Sequence, residues 1–286
     1  MKKLVIGCGY LGSRVASLWQ QTGATVFATT RNKERMADLQ QAGFEPILCD
    51  VMDAASLQSL PKVDTVLFSV GRDRNSAWSM RDVYVTGLEN VLQTLPPGRF
   101  IYISSTGVYG QSAGEAVDEE AATDPADDSG RVVLDGERVL RRRLPQTIIL
   151  RLAGIYGPNR LIRGEALRSG EPIIGDPDKL LNLIHVDDAA AAVLAAEERG
   201  RPGRVYNVSD DAPIERREFY RYLAQLLRTA EPTFAQEPQP FSRRARANRR
   251  IVNTRMHDEL ALKLSYLTYR EGLRACLAAE RPELSS

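Results

Sequence analysis

Gly7, Gly9 and Gly12 stand at the G-x-G-x-x-G spacing, directly after the apolar run Leu4-Val5-Ile6 and directly before Ser13-Arg14-Val15-Ala16-Ser17-Leu18-Trp19. Each glycine has its own role in such a turn. Gly7 permits the tight bend, Gly9 lets the backbone approach a pyrophosphate, and Gly12 lets the following helix pack on the strand. The start of that helix offers free N–H groups and a partial positive charge to the same anion. Val15, Leu18 and Trp19 share one helical face, so the context is strand, turn, helix, the opening of a βαβ unit that binds a dinucleotide. A second signal closes the next strand, where Thr29-Thr30-Arg31-Asn32-Lys33 holds no carboxylate. A carboxylate there would accept from a ribose 2′-OH, whereas an arginine with a lysine nearby suits a 2′-phosphate. Arg31 therefore points to NADP, with NAD the alternative.

These groups need a scaffold, and the alternation of apolar runs with helical periodicity supplies one. It predicts strands over 4–6, 24–29, 46–49, 65–69, 100–104 and 146–151, separated by helices over 33–41, 54–60, 79–95 and 129–143. That order gives an α/β fold, a doubly wound parallel Rossmann sheet with ligands at the carboxyl ends of its strands. Beyond Gly157-Pro158 the pattern changes to short strands over 183–186 and 205–208 and helices over 161–169, 189–198, 217–227, 256–262 and 269–279. We therefore expect a dinucleotide-binding domain over 1–155, to whose sheet residues 181–210 return. A smaller C-terminal substrate lobe is expected over 156–286.

Composition narrows the function classes. A net charge of +1 argues against a general nucleic-acid binder. There is no long uncharged apolar span for a membrane, and the apolar run before Cys8 is too short for a secretory leader. Cys8, Cys49 and Cys276 are scattered without metal spacing, which reads as small core residues in a reducing cytoplasm. The run Ser242-Arg243-Arg244-Ala245-Arg246-Ala247-Asn248-Arg249-Arg250 carries five arginines and no acid. Its arginines could grip a diphosphate or a carboxylate, or simply form a solvated connector. His185 reads as a hydrogen-bonded structural residue, and no metal site is expected.

Ile103-Ser104-Ser105-Thr106-Gly107-Val108-Tyr109-Gly110 resembles the S-S-x-x-V-Y-G segment of extended short-chain dehydrogenase/reductases, in their NAD(P)-dependent epimerase/dehydratase branch. Asp50-Val51, Leu150-Arg151 through Tyr156-Gly157-Pro158, Ile184-His185-Val186-Asp187-Asp188 and Val205-Tyr206-Asn207-Val208 match in order. The resemblance implies that Gly7, Gly9, Tyr10, Leu11 and Gly12 hold the pyrophosphate and that Asp50 and Val51 lie against the adenine. It implies that Val70 and Gly71 line the route to the nicotinamide ribose, and that Ser105 hydrogen-bonds a substrate oxygen. The family's Tyr-x-x-x-Lys acid/base pair is missing: aligned on Glu137, Ser129 stands where Tyr belongs and Val133 where Lys belongs. Tyr109 and Tyr84 are spare phenols, and Tyr109 is taken as the second catalytic candidate. The implied function is that of an NAD(P)-dependent oxidoreductase or epimerase on a small polar substrate, in this family often a nucleotide sugar. The alternative is a non-catalytic NADP(H) sensor. The family's helix–helix contact also implies a homodimer, built here from the helices over 79–95 and 129–143 through Val83, Leu88, Val91, Val132, Val139 and Leu140.

Overall fold

In the computed structural model, which describes residues 1–73, 76–95, 98–235 and 247–280, strands and helices alternate through the first half of the chain. In order these are β1 (Lys2–Ile6), α1 (Gly12–Gln21), β2 (Thr25–Thr30), α2 (Arg35–Gln41), β3 (Glu45–Leu48), α3 (Ala54–Leu57), β4 (Thr65–Phe68), α4 (Gly87–Thr94) and β5 (Arg99–Ser105). Then come β6 (Glu115–Val117), α5 (Asp128–Arg143), β7 (Ile148–Leu152), β8 (Gly154–Tyr156), α6 (Gly164–Ser169), β9 (Ile173–Ile174) and β10 (Leu180–Leu181). The remainder is β11 (Leu183–His185), α7 (Val186–Arg199), β12 (Val205–Val208), β13 (Ile214–Glu215), α8 (Arg216–Leu227), β14 (Phe234–Ala235), β15 (Arg249–Ile251), α9 (Thr254–Leu260) and α10 (Tyr269–Glu280).

Seven strands pair in the order β3-β2-β1-β4-β5-β7-β12, every pair parallel. β1 lies between β2 and β4, so the chain winds outward in both directions from it. The loops that leave β1 and β4 therefore diverge at the carboxyl edge, where sheets of this kind hold their ligands. β4 and β7 are buried along their whole length, as strands covered on both faces must be. Val15, Ala16 and Trp19 of α1 cover one face together with the alanine-rich α7 and with Met256 and Leu260 of α9. Leu57, Leu88, Val91, Val139 and Leu140 cover the other.

This second layer uses most of the apolar residues named for the expected dimer contact. Val83, Leu88, Val91, Val139 and Leu140 are all buried within the chain against the sheet. Val132, the sixth residue named for that contact, is half-buried and stands outside this layer. The helix expected over 79–95 runs unbroken over 80–94, with a π-helical stretch, Asp82–Thr86, inside it before α4. Its start is tied by the Asp82 carboxylate, which accepts from the Ser79 N–H at 2.9 Å and hydroxyl at 2.7 Å.

The second half builds a separate apolar cluster from Tyr156, Leu167, Ile173, Phe219, Leu223, Tyr269 and Leu273. Within residues 181–210, β12 joins the main sheet and α7 covers it, whereas β11 pairs with β8. β15 pairs in parallel with β6, clasping the loop after β5 to the second lobe. Part of the arginine run thus lies in a strand. Arg249 is buried and donates to the Thr106 carbonyl at 2.8 Å, and Arg250 donates to the Gly114 carbonyl at 3.0 Å. Arg243, Arg244 and Arg246 lie outside the described residues.

Candidate functional site

The glycine turn forms the floor of a groove of about 460 Å³ between the ends of β1, β2 and β4. Gly7 has φ +90° and a Cβ there would stand 2.7 Å from Val70 Cα; a Cβ on Gly12 would stand 2.4 Å from the Gly7 carbonyl oxygen. Only glycine allows α1 to approach the turn this closely. A Cβ on Gly9 would meet nothing within 4 Å, so the space above the turn is open. The Gly7 N–H donates to Thr29 Oγ1 at 3.1 Å, and Ser69 Oγ donates to the Gly7 carbonyl at 3.0 Å, pinning the turn to both neighbouring strands.

Gly7, Gly9, Arg31, Val51, Val70 and Gly71 line this groove. The other four candidates are placed differently. The Tyr10 hydroxyl donates to the Pro158 carbonyl at 2.9 Å, and its ring sits between Arg14 and Arg160 at 4.3 and 5.3 Å, bracing the second lobe. Leu11 is a core residue, Gly12 is the packing contact described above, and Asp50 accepts from the Met52 N–H at 2.9 Å, shaping its own turn. Arg35 and Arg72 also line the groove. Arg35 donates to the Cys8 carbonyl at 3.1 Å, and the Arg31 guanidinium faces the Asp73 carboxylate at 3.6 Å. Arg35 was missed in the sequence because it falls one helical turn past the strand end. Burial pushes the Cys8 thiol up to about 11 against the opposing pull of Arg35, so it stays protonated at neutral pH.

A second groove, of about 540 Å³, opens at the end of β5 between the main sheet and the second lobe. Ser105 and Tyr109 both line it, together with Tyr84 from the π-helical stretch. Ser105 Oγ accepts from the Gly107 N–H at 3.0 Å, which aims the hydroxyl. Leu152, Ile155, Ile162 and Leu181 give it an apolar wall, and Asn182 is locked by donating to the Arg249 carbonyl at 2.9 Å and accepting from the Ile251 N–H at 2.8 Å. Among the described residues its charged lining is Arg160, Arg216 and Arg249 against Asp127 alone. Such a groove attracts an anion.

Beneath Ser105 runs a buried polar network. Arg151 Nε and Nη2 donate to the two oxygens of Glu137 at 2.9 and 2.7 Å, and Ser104 Oγ donates to the same carboxylate at 2.6 Å. Arg151 Nη1 donates to the Tyr109 hydroxyl at 2.8 Å, which donates in turn to Asn207 Oδ1 at 2.8 Å. Burial works against the Arg151 charge, and Glu137 more than offsets it, raising the guanidinium above its ordinary range. Burial likewise pushes the Tyr109 phenol up, with Arg151 pulling the other way. Removing one partner of so well-bonded a buried pair costs about 3–5 kcal/mol. The network therefore holds α5, β5, β7 and β12 in register under the groove.

The model of the NAD dependent epimerase/dehydratase family matches residues 4–209. The chain belongs to this family. It is 30% identical to protein YeeZ of Escherichia coli over 253 residues, covering 82% of this chain and 87% of that protein. It is 27% identical to a GDP-6-deoxy-D-mannose reductase of Pseudomonas aeruginosa, covering 68% of this chain and 71% of that protein. The solved structure of a conserved protein of unknown function from Silicibacter pomeroyi is 28% identical, with a TM-score of 0.79 over 97% of this chain and 98% of the other. Membership in the epimerase/dehydratase family brings a nicotinamide dinucleotide as cofactor and a small molecule as substrate. Val133, which the sequence alignment on Glu137 sets against the family's lysine, is packed with Val108, Tyr109, Val117, Leu134 and Ile251.

Proposed function

We propose that the protein is an NADP(H)-dependent oxidoreductase, with epimerase-like chemistry at one carbon, acting on a small polar substrate that carries negative charge. The observation that carries this reading is the pairing of two grooves: the glycine-turn groove at β1 and β4, and the Ser105 groove at β5 with three arginines in its lining. The open space over Gly9, between glycines with no room for a side chain, fits a pyrophosphate. Gly7, Gly9, Val51, Val70 and Gly71 would hold the dinucleotide, and Arg31 and Arg35 would receive a 2′-phosphate. When bound, the nicotinamide supplies or accepts a hydride. Ser105 donates a hydrogen bond to the reacting oxygen, and the arginines orient the anionic end of the substrate, a nucleotide sugar or a smaller phosphate or carboxylate.

The test is NADPH binding by titration calorimetry followed by single-turnover oxidation of NADPH with aldehydes, keto acids and keto-sugars. Ser105→Ala should lower the rate on the order of a hundred- to thousandfold, the worth of one aimed donor at a developing charge. Equal rates would make Ser105 structural. The burial of Val133 supports a second reading, a non-catalytic NADP(H) sensor. Tight NADPH binding with no oxidation by any compound would select it.

A further inference from the structure

Resting on the oxidoreductase reading, the geometry points to Tyr84 as the residue that passes a proton to and from the reacting oxygen. Two phenols line the Ser105 groove, Tyr84 and Tyr109. Tyr109 is 1% exposed, and its hydroxyl is committed on both sides, accepting from Arg151 and donating to Asn207. Moving its proton would break the network that holds four elements together. Tyr84 is different. Its ring packs half-buried on the cluster that contains Val108, Tyr109 and Val133, and among the described residues no hydrogen bond engages its hydroxyl.

The backbone explains how it gets there. Tyr84 sits at the centre of the π-helical stretch Asp82–Thr86, with helical residues before and after it. A π turn inserts a residue into the helix and rotates the side chains around it out of the α register, a device found often at functional sites. Here it sets an aromatic ring from the covering layer at the edge of the groove, beside the small apolar side chain Val133. The Tyr84 ring and the Ser105 hydroxyl thus come to one groove from different elements.

In the reductive direction the substrate carbonyl carbon gains a hydride, which the reduced nicotinamide supplies, and its oxygen takes the Tyr84 proton. The C=O becomes CH–OH, and water returns a proton to the phenolate. In the oxidative direction each transfer runs backwards.

Tyr84→Phe keeps the packed ring and removes only the hydroxyl. In the single-turnover assay it should lower the rate about a hundredfold or more, with NADPH affinity and substrate KM near wild type. A second readout needs no turnover. Tetranitromethane nitration followed by peptide mass spectrometry should label Tyr84 in the free protein, leave the buried Tyr102 and Tyr109 unlabelled, and label Tyr84 severalfold more slowly once NADP⁺ is added. A wild-type rate in Tyr84→Phe, or nitration of Tyr84 that NADP⁺ does not slow, overturns the assignment while the oxidoreductase reading stands. Absence of NADPH oxidation in the wild-type protein overturns both.

Discussion

Arg31, just past the end of β2 where a carboxylate would select the unphosphorylated ribose, and Arg35, at the start of α2, both line the glycine-turn groove. A charge-assisted hydrogen bond is worth about 1.5–3 kcal/mol, or roughly ten- to a hundredfold in affinity. NADPH should therefore bind at least about tenfold more tightly than NADH, and Arg31→Ala should remove most of that margin. Titration calorimetry with both cofactors checks it, and equal affinities in the wild-type protein refute it. The Asp73 carboxylate, 3.6 Å from Arg31, competes for the same guanidinium. Both side chains are partly exposed, so that pair is screened and a phosphate dianion should displace it. Arg31 was visible as a candidate because it replaces an expected acid in a known position. Arg35 was not, since nothing in the sequence says that its side chain folds back over Cys8.

Helix α5 is held in place by its caps, its charges and its buried face. Asp127 caps it by accepting from the Gly130 N–H at 2.7 Å, Asp128 lies in its first turn, and Arg141, Arg142 and Arg143 lie in its last, all favourable to the helix dipole. Its inner face is held by Glu137 and by Val133, Leu134, Val139 and Leu140. Val133 is 7% exposed within its apolar cluster. A lysine at that position would bury an amine among aliphatic side chains. Val133→Lys should therefore cost several kcal/mol, seen as a lower urea midpoint, and restore no acid/base function. An unchanged midpoint would mean that the site opens to water and that the family arrangement can be rebuilt there. The strands β6 and β15 teach the converse. Each is short, and each forms only because the other lies beside it, so neither carries a periodic signal that can be read locally.

For the molecule as a whole, the seam between the sheet and the second lobe carries a buried acid. Asp210 is 2% exposed; its N–H donates to the Leu183 carbonyl at 2.7 Å, its Oδ1 accepts from the Ala212 N–H at 3.2 Å, and Oδ2 has no hydrogen-bond partner among the described residues. Burial pushes this carboxyl up to about 8. The folded protein thus keeps a proton that the unfolded chain releases near its ordinary value of about 3.9. Because the folded state binds more protons, this group's contribution to stability is full below about pH 4 and falls as pH rises towards 8, by at most about 1.4 kcal/mol per unit. The wild-type melting temperature should consequently drop more between pH 5 and pH 8 than that of Asp210→Asn, other titrations being common to both. Parallel curves would show that Asp210 is charged when folded. The seam also marks where reading the sequence stops. Order and type of the main elements were legible because helical and strand periodicities are local, and the glycine spacing with its strand-turn-helix context announced the first groove. Ser105 came forward as a candidate through a motif, and the fold sets it in the lining of the second groove. The Glu137–Arg151–Tyr109–Asn207 network, the turning of Tyr84 into the second groove, the burial of Val133 and the meeting of Arg160, Arg216 and Arg249 were decided by the tertiary structure alone. Each joins residues far apart in the chain, and whether a polar side chain is partnered, buried or free to react depends on neighbours that only folding brings to it.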